Sequence, residues 1–245
     1  MRTLILGTGE IGNSLARVLS SAHVVYSKDK NGEPKLIGGV PAPAEREWDV
    51  LNICYPPSKD FVKITKAYIA LYKPKVTIIH STVAPGITAK CGPMVVHSPM
   101  HGKHPDIAKG ILTYVKYVGG ENAYAVSLAR EFLGRANIKV KVVANSKTSE
   151  LSKILCTTYY GWNIVFMKEV VKICEKYKVP FSEVYQDWNF LYNTGMDEIG
   201  TVNFKRPILF PAPGKIGGHC VVENCHLLPS DITDFIIKKN EEYKK

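Results

Sequence analysis

The sequence predicts an α/β fold: a doubly wound, mostly parallel sheet over residues 1–145, then a smaller, mainly α-helical domain over residues 146–245 with a long connecting helix. Three observations carry that expectation. Short apolar runs alternate with helically spaced stretches through the first part of the chain, the pattern of strands and helices wound into a parallel sheet. The first apolar run ends in Gly7-Thr8-Gly9-Glu10-Ile11-Gly12, a glycine turn opening a helix. From Ser149 to Tyr177 a helical periodicity continues without a proline.

Taken in order, residues 2–6 are an apolar strand and Asn13 to Ser21 is spaced as a helix. His23 to Tyr26 reads as a second strand, and Gly38 to Pro43 as a loop. Asp49 to Tyr55 is a buried strand, ended by Pro56-Pro57 because proline cannot donate to a ladder. Phe61 to Leu71 is helical, and Val76 to His80 is a strand running into Ser81-Thr82-Val83. Val95 to His97 and Tyr114 to Val118 are further strands, Ala123 to Leu133 a helix, and Ile138 to Val143 a last strand. Thr148 or Ser149 is placed to cap the long helix, which breaks at Pro180. Phe181 to Leu191 suggests another helix, residues 195–219 a loop rich in Gly and Pro, and Asp231 to Lys239 a closing amphipathic helix.

A chain of 245 residues is comfortable for two domains, and 45% hydrophobic residues suffice for a core. No run of about 18 apolar residues occurs, so no membrane span is expected. The apolar N-terminal stretch is short and enters the glycine turn directly, which makes it a strand rather than an export signal. A cytoplasmic location follows as the expectation, with Cys54, Cys91, Cys156, Cys174, Cys220 and Cys225 as reduced thiols and at least four of them simply small buried groups. The formal charge is +10, but the lysines are dispersed and no recognition motif accompanies them. That argues against a nucleic-acid partner and for a cleft that attracts a small anionic substrate. His97, His101 and His104 crowd one loop, and His219, Cys220, Cys225 and His226 another. Their spacings match no zinc pattern, so no metal is expected.

The glycine turn carries the first chemistry. Gly7 permits a tight turn, Gly9 lets backbone approach a pyrophosphate, and Gly12 lets helix and strand pack closely. Glu10 and Ile11 would then lie at a helix N-terminus, where amides and dipole favour negative charge. This is the signature of a Rossmann-type dinucleotide-binding domain. The end of the second strand should discriminate the cofactor. Asp29, 17 positions after Gly12, could bond the ribose hydroxyls of NAD, whereas Ser27 and Lys28 could hold the extra phosphate of NADP. NAD is expected, with NADP left open.

Two later segments hold candidate reactive groups: the helix containing Glu150-Leu151-Ser152-Lys153 and the loop Pro213-Gly214-Lys215-Ile216-Gly217-Gly218-His219-Cys220. A cysteine after paired glycines is accessible, and Lys153 could supply a cation or an acid/base group. A surface lysine and an inert cysteine are the alternative. The loop after His97 leaves a strand at the carboxyl edge, where ligands bind. It offers His101 and Lys103 to an anionic substrate, unless it is only a solvated polar loop.

In sequence order these motifs resemble those of the UDP-glucose/GDP-mannose dehydrogenase family. The matching elements are the glycine turn, Cys54-Tyr55-Pro56-Pro57, Ser81-Thr82-Val83-Ala84-Pro85-Gly86-Ile87-Thr88, Tyr117-Val118-Gly119-Gly120, Glu150-Leu151-Ser152-Lys153, and the Gly-Gly-His-Cys loop. The resemblance implies an NAD(P)-dependent oxidoreductase acting on an alcohol of a nucleotide sugar. It implies cofactor contacts from Tyr55, Pro56, Ser81 and Thr82, with Thr82 beside the nicotinamide. It implies Cys220 as the nucleophile that captures an aldehyde, Lys153 as the group facing developing alkoxide charge, and Gly217 and Gly218 at the substrate. It further implies a homodimer built on the long helix. Two positions depart from the family: Thr157 stands where it has asparagine, and Asn224 where it has the aspartate that follows the cysteine. An amide cannot act as a carboxylate base. The family's third, nucleotide-binding domain is expected to be missing. Two other readings stand beside this one. One is a two-electron hydroxyacid or prephenate-type dehydrogenase using Lys153. The other is a dinucleotide-binding protein that has lost catalysis and serves as a sensor or partner subunit.

Overall fold

The computed structural model describes residues 1–36, 39, 47–102, 107–218 and 220–243. Among them eight strands join one sheet: β1 (Arg2–Leu6), β2 (Val24–Lys28), β3 (Lys35–Leu36), β4 (Val50–Ile53), β5 (Val76–Ile79), β6 (Val95–His97), β7 (Lys116–Gly120) and β8 (Val140–Val142). Their order across the sheet is β3-β2-β1-β4-β5-β6-β7-β8. β2, β1, β4, β5 and β6 run parallel. β3 pairs antiparallel to β2, β7 antiparallel to β6, and β8 parallel to β7. The mostly parallel, Rossmann-type sheet expected from the alternation is therefore present. Because β1 is flanked by β2 on one side and β4 on the other, the chain winds in both directions from it. That leaves a crevice at the carboxyl ends of β1 and β4.

Both faces of the sheet are covered, which is why its strands read as continuous apolar runs. Along β1 the side chains alternate: Ile5 packs into one buried cluster with Leu15, Ile78 and Phe132. Leu4 and Leu6 point the other way, into a cluster with Trp48, Leu51 and Phe61. Helices α1 (Glu10–Leu19), α2 (Phe61–Tyr72), α3 (Ile87–Cys91), α4 (Ile107–Thr113) and α5 (Ala123–Arg135) connect the strands.

Several boundaries differ from the sequence reading. Helix α1 begins at Glu10, three residues earlier than the periodicity suggested, because the glycine turn itself is the helix start. The short β3, α3, α4 and α8 (Val221–Cys225) went unread, since elements of two to seven residues show no full period. The long helix α6 (Ser146–Tyr177) starts before Thr148 and Ser149, so neither caps it. Asn145 does: its side-chain oxygen accepts from the Thr148 amide at 2.9 Å. The predicted helix from Phe181 is a π-helical turn, Ser182–Asp187, leading into α7 (Trp188–Glu198). The loop expected from residue 195 thus begins only after Glu198, and it holds a 3-10 turn at Val202–Phe204.

The chain divides into a unit of Met1–Lys153 and a second of Ile154–Lys245. The second is helical, closed by α9 (Asp231–Glu242), which carries a capping box from Ser230 and Thr233. Its buried core is small: Val165, Ile216, Val221, Cys225 and Ile236. No helix among the described residues is long and apolar enough to cross a membrane.

Candidate functional site

The glycine turn is built by exclusion of side chains. Gly7 sits at φ +95°, where a Cβ would meet the Tyr55 amide nitrogen at 2.8 Å. A Cβ on Gly12 would lie 1.9 Å from the Gly7 carbonyl oxygen. Gly9 is different: nothing lies within 4 Å of where its Cβ would be. Gly7 and Gly12 are needed by the fold, whereas Gly9 faces open space at the start of α1, where no side chain caps the helix. That cradle fits a diphosphate. Glu10 is exposed and Ile11 half-buried in the first turn.

At the end of β2 the exposed Asp29 accepts from the Thr8 hydroxyl at 2.8 Å, so a carboxylate is tied to the turn itself. Hydrogen bonds from the Lys30 amide and Thr8 hold Asp29 below the usual carboxylate range. Ser27 is half-buried in β2. The Lys28 ammonium reaches the Gly32 carbonyl. Tyr55 turns its ring into the aromatic cluster with Phe61 and Tyr68, its hydroxyl 2.7 Å from that of Thr65. It therefore offers backbone rather than hydroxyl to the crevice, beside the exposed Pro56. Ser81 is also engaged, donating to the Tyr55 carbonyl at 2.6 Å, and Thr82 next to it is half-buried.

The Ser81–Thr88 segment is anchored to the start of α6. Glu150 is fully buried, and its carboxylate accepts from the amides of Gly86 at 2.6 Å and Thr88 at 2.9 Å. His97 adds a second tie. Its Nε2 lies 3.1 Å from the Ser81 carbonyl, which can only accept, so that nitrogen carries the proton. Nδ1 then accepts from the Ser149 hydroxyl at 2.8 Å. His97 ends β6, the strand expected over Val95 to His97, and does not join His101 and His104 in a loop cluster; it is buried with both ring nitrogens occupied, unavailable to a metal. Among the described residues no cluster of three or more His, Cys, Asp or Glu could hold a metal ion.

His101 is half-buried, its ring 6.2 Å from that of Tyr114. Burial pushes it down to about 4, with the ammonium groups of Lys153 and Lys116 acting in the same direction. Lys153 also acts on His97, which burial holds at about 3. Lys153, His101 and His97 therefore share one electropositive neighbourhood in the first unit. Lys103 and His104 fall outside the described residues. In the second unit Cys220 is exposed and immediately precedes α8, where the Asn224 backbone amide donates to the Cys220 carbonyl at 3.1 Å. Gly217 and Gly218 before it are exposed, Gly218 at φ +79°. Thr157 and Asn224, the two departures from the family pattern, meet each other: the Asn224 side-chain amide donates to the Thr157 hydroxyl at 3.1 Å. Cys54 is half-buried, Cys91, Cys174 and Cys225 are buried, Cys156 and Cys220 are exposed, and all six are free thiols.

Residue types alone did not point to Lys116 and His80. Lys116 is 2% exposed and donates from Nζ to the carbonyls of Ser98 and, at 2.8 Å, Pro99. A lysine inside an otherwise apolar strand was the available signal.

Acid should unfold this unit early. His80 and His97 are buried and neutral, both lowered first by desolvation. In the unfolded chain each protonates near 6.5, while the folded form stays neutral. The folded state thus binds fewer protons, and stability is full above pH 6.5 and lost as pH falls toward 4. Urea denaturation at pH 7 and pH 5 should differ by about 2–4 kcal/mol for this pair. Equal midpoints at the two pH values would show that the histidines are not held neutral.

No family model matches the chain. It is 27% identical over 151 residues to UDP-N-acetyl-D-mannosamine dehydrogenase of Methanococcus vannielii, a match covering 59% of this chain and 32% of that protein. The chain thus spans about a third of the length of the curated relatives it matches. The solved UDP-D-ManNAc dehydrogenase of Pyrococcus horikoshii superposes with a TM-score of 0.79 at 20% identity, covering 99% of this chain and 68% of that one. The 3-hydroxyisobutyrate dehydrogenase of Mycobacterium tuberculosis superposes with a TM-score of 0.68 at 15% identity, covering 98% and 92%. The similarity to nucleotide-sugar dehydrogenases implied by the motifs therefore extends to named relatives, and the structures share the fold.

Proposed function

We propose that this chain binds a nicotinamide dinucleotide, NAD in preference to NADP, and oxidises an alcohol of an anionic, nucleotide-sugar-like substrate. The observation that carries this reading is the glycine turn, with open space over Gly9 and the Asp29 carboxylate tied to Thr8 beside it. The amides at the start of α1 would hold the pyrophosphate and Asp29 the ribose hydroxyls. Ser27 and Lys28 are then spectators, Lys28 being turned to Gly32. The backbone at Tyr55-Pro56 and Ser81-Thr82 would line the way to the nicotinamide ring. The bound cofactor supplies the hydride acceptor.

The remaining chemistry belongs to side chains. Lys153 stabilises the alkoxide as the alcohol's proton passes to water. His101 and Lys103 contact the substrate's anionic part, and Gly217 and Gly218 let the substrate pass close to Cys220. The Cys220 thiol adds to the aldehyde carbon, its proton passing to the carbonyl oxygen. Thr157 and Asn224 form a hydrogen-bonded pair without a carboxylate. That pair supplies no carboxylate base to activate water. The partner is a second copy of the chain. Helix α6 exposes Tyr159, Trp162, Phe166 and Ile173, and α7 exposes Trp188 and Leu191, more apolar surface than a monomer usually presents.

A second reading, oxidation of a small hydroxyacid with Lys153 alone, is favoured by the near-complete overlap with the 3-hydroxyisobutyrate dehydrogenase structure. A third, a dinucleotide sensor without turnover, takes its support from the missing carboxylate at position 224. One experiment separates them: the protein is titrated with NADH and NADPH, then assayed with UDP-N-acetyl-D-mannosamine and 3-hydroxyisobutyrate. Cys220→Ala is expected to lower nucleotide-sugar turnover by about 10³-fold while sparing NADH binding. Full activity in that variant sinks the covalent role. Turnover of the hydroxyacid alone selects the second reading, and binding without turnover the third.

A further inference from the structure

We propose that Lys116 is a positioning residue for the substrate side of this site, holding residues 98–102 so that His101 is presented at the carboxyl edge of the sheet. What His101 is presented to rests on the dehydrogenase reading above; the holding of the loop does not. Lys116 opens β7, which pairs His97 with Gly119 in antiparallel register. That direction returns the first residue of β7 to the edge where the chain leaves β6. One ammonium there serves three successive loop residues: it donates to the carbonyls of Ser98 and Pro99 and lies 3.4 Å from the Met100 sulfur.

The same carbonyl is gripped from the other side. His80 at the end of β5 places Nδ1 3.0 Å from the Ser98 carbonyl oxygen. Its Nε2 lies 2.9 Å from the Asn52 side-chain amide, which in turn lies 2.6 Å from the Thr3 hydroxyl. Thr3 donates to the Val50 carbonyl at 2.9 Å. A polar line thus crosses β1, β4 and β5 inside an apolar sheet and ends on the loop. Ser98 and Met100 are buried by it, and the next residue, His101, emerges half-buried.

Lys116 is a costly way to hold a loop. Burial brings its ammonium down to about 7, with Cys54 opposing and Lys153 adding to the shift. His80 and His97 also face it and are themselves lowered. Its bonds to Ser98, Pro99 and Met100 go to carbonyl dipoles and a sulfur rather than a carboxylate. Methionine would fill a similar volume without a buried charge; the Ser98 carbonyl would keep His80, and the Pro99 carbonyl would lose its donor. A group that burdens the fold while fixing one loop at a ligand-binding edge is there for the loop.

The test is Lys116→Met, with Lys116→Gln read in the same way should the first fail to fold. Loss of the buried charge and loss of the Pro99 bond offset each other, so the melting temperature is expected to move by no more than a few degrees. Amide exchange at residues 98, 100, 101 and 102 should quicken by about fivefold relative to the amides of β5 and β6. With NAD and UDP-N-acetyl-D-mannosamine, KM should rise by about tenfold with kcat changed far less. Unchanged exchange in the loop overturns the proposal. So does a melting temperature lowered by more than a few degrees with exchange raised evenly through the domain, which would make Lys116 an ordinary core residue. If the parent protein turns over no substrate, the dehydrogenase reading fails, while the exchange result still decides whether Lys116 holds the loop.

Discussion

Gly9→Ala is expected to weaken NADH binding by at least about tenfold while leaving unfolding stability within about 1 kcal/mol of the parent. The new methyl enters open space, so the fold has nothing to move. Under the proposed function it enters the space a diphosphate would occupy, so the ligand would have to move. Gly12→Ala is the contrasting case. Its methyl would lie 1.9 Å from the Gly7 carbonyl oxygen, and the clash is backbone against backbone. A loss of about 3 kcal/mol or more, or failure to fold, is expected. NADH fluorescence titration and urea denaturation of both variants decide the matter. If Gly9→Ala binds NADH as tightly as the parent, the turn is not a phosphate cradle.

Glu150→Ala is the second large effect. The carboxylate is completely buried and accepts from two amides in a segment 62 to 64 residues earlier. Removing it leaves both donors without a partner and opens a small void. Each orphaned donor costs about 1–3 kcal/mol, so a loss of about 3–5 kcal/mol in urea denaturation is expected. Glu150→Gln keeps one accepting oxygen and should lose less. A Glu150→Ala protein within about 1 kcal/mol of the parent would mean that the Gly86 and Thr88 amides find other partners. The bond also explains in physical terms why the Ser81–Thr88 and Glu150–Lys153 motifs go together. The second supplies the cap for the first, and Lys153 follows on the next turn of the same helix.

Much of the fold was legible because it is periodic. The β1 run, the glycine turn and the proline-free stretch of α6 each repeat a local rule over enough residues to be read. Short elements were not: α3 and α8 have five residues each, fewer than two helical turns. The candidate site was legible where chemistry is local. Gly7, Gly9 and Gly12 follow from one turn, and Asp29 from its distance along the chain. It was not legible where partners are remote. His97 groups along the chain with His101 and His104, its near neighbours in sequence. Its actual partners, Ser81 and Ser149, lie 16 and 52 residues away.

By itself, then, the amino-acid order determined that strands and helices alternate, that a glycine turn opens the first helix, and which residues carry reactive groups. Those are consequences of backbone geometry and side-chain size acting over a few residues. Tertiary structure decided which polar groups are spent on one another: Glu150 on two amides, His97 on a carbonyl and a hydroxyl, Lys116 on a loop, Thr157 on Asn224. Pairing of buried polar groups depends on what the folded chain brings within about 3 Å, and no pattern along the sequence records that distance.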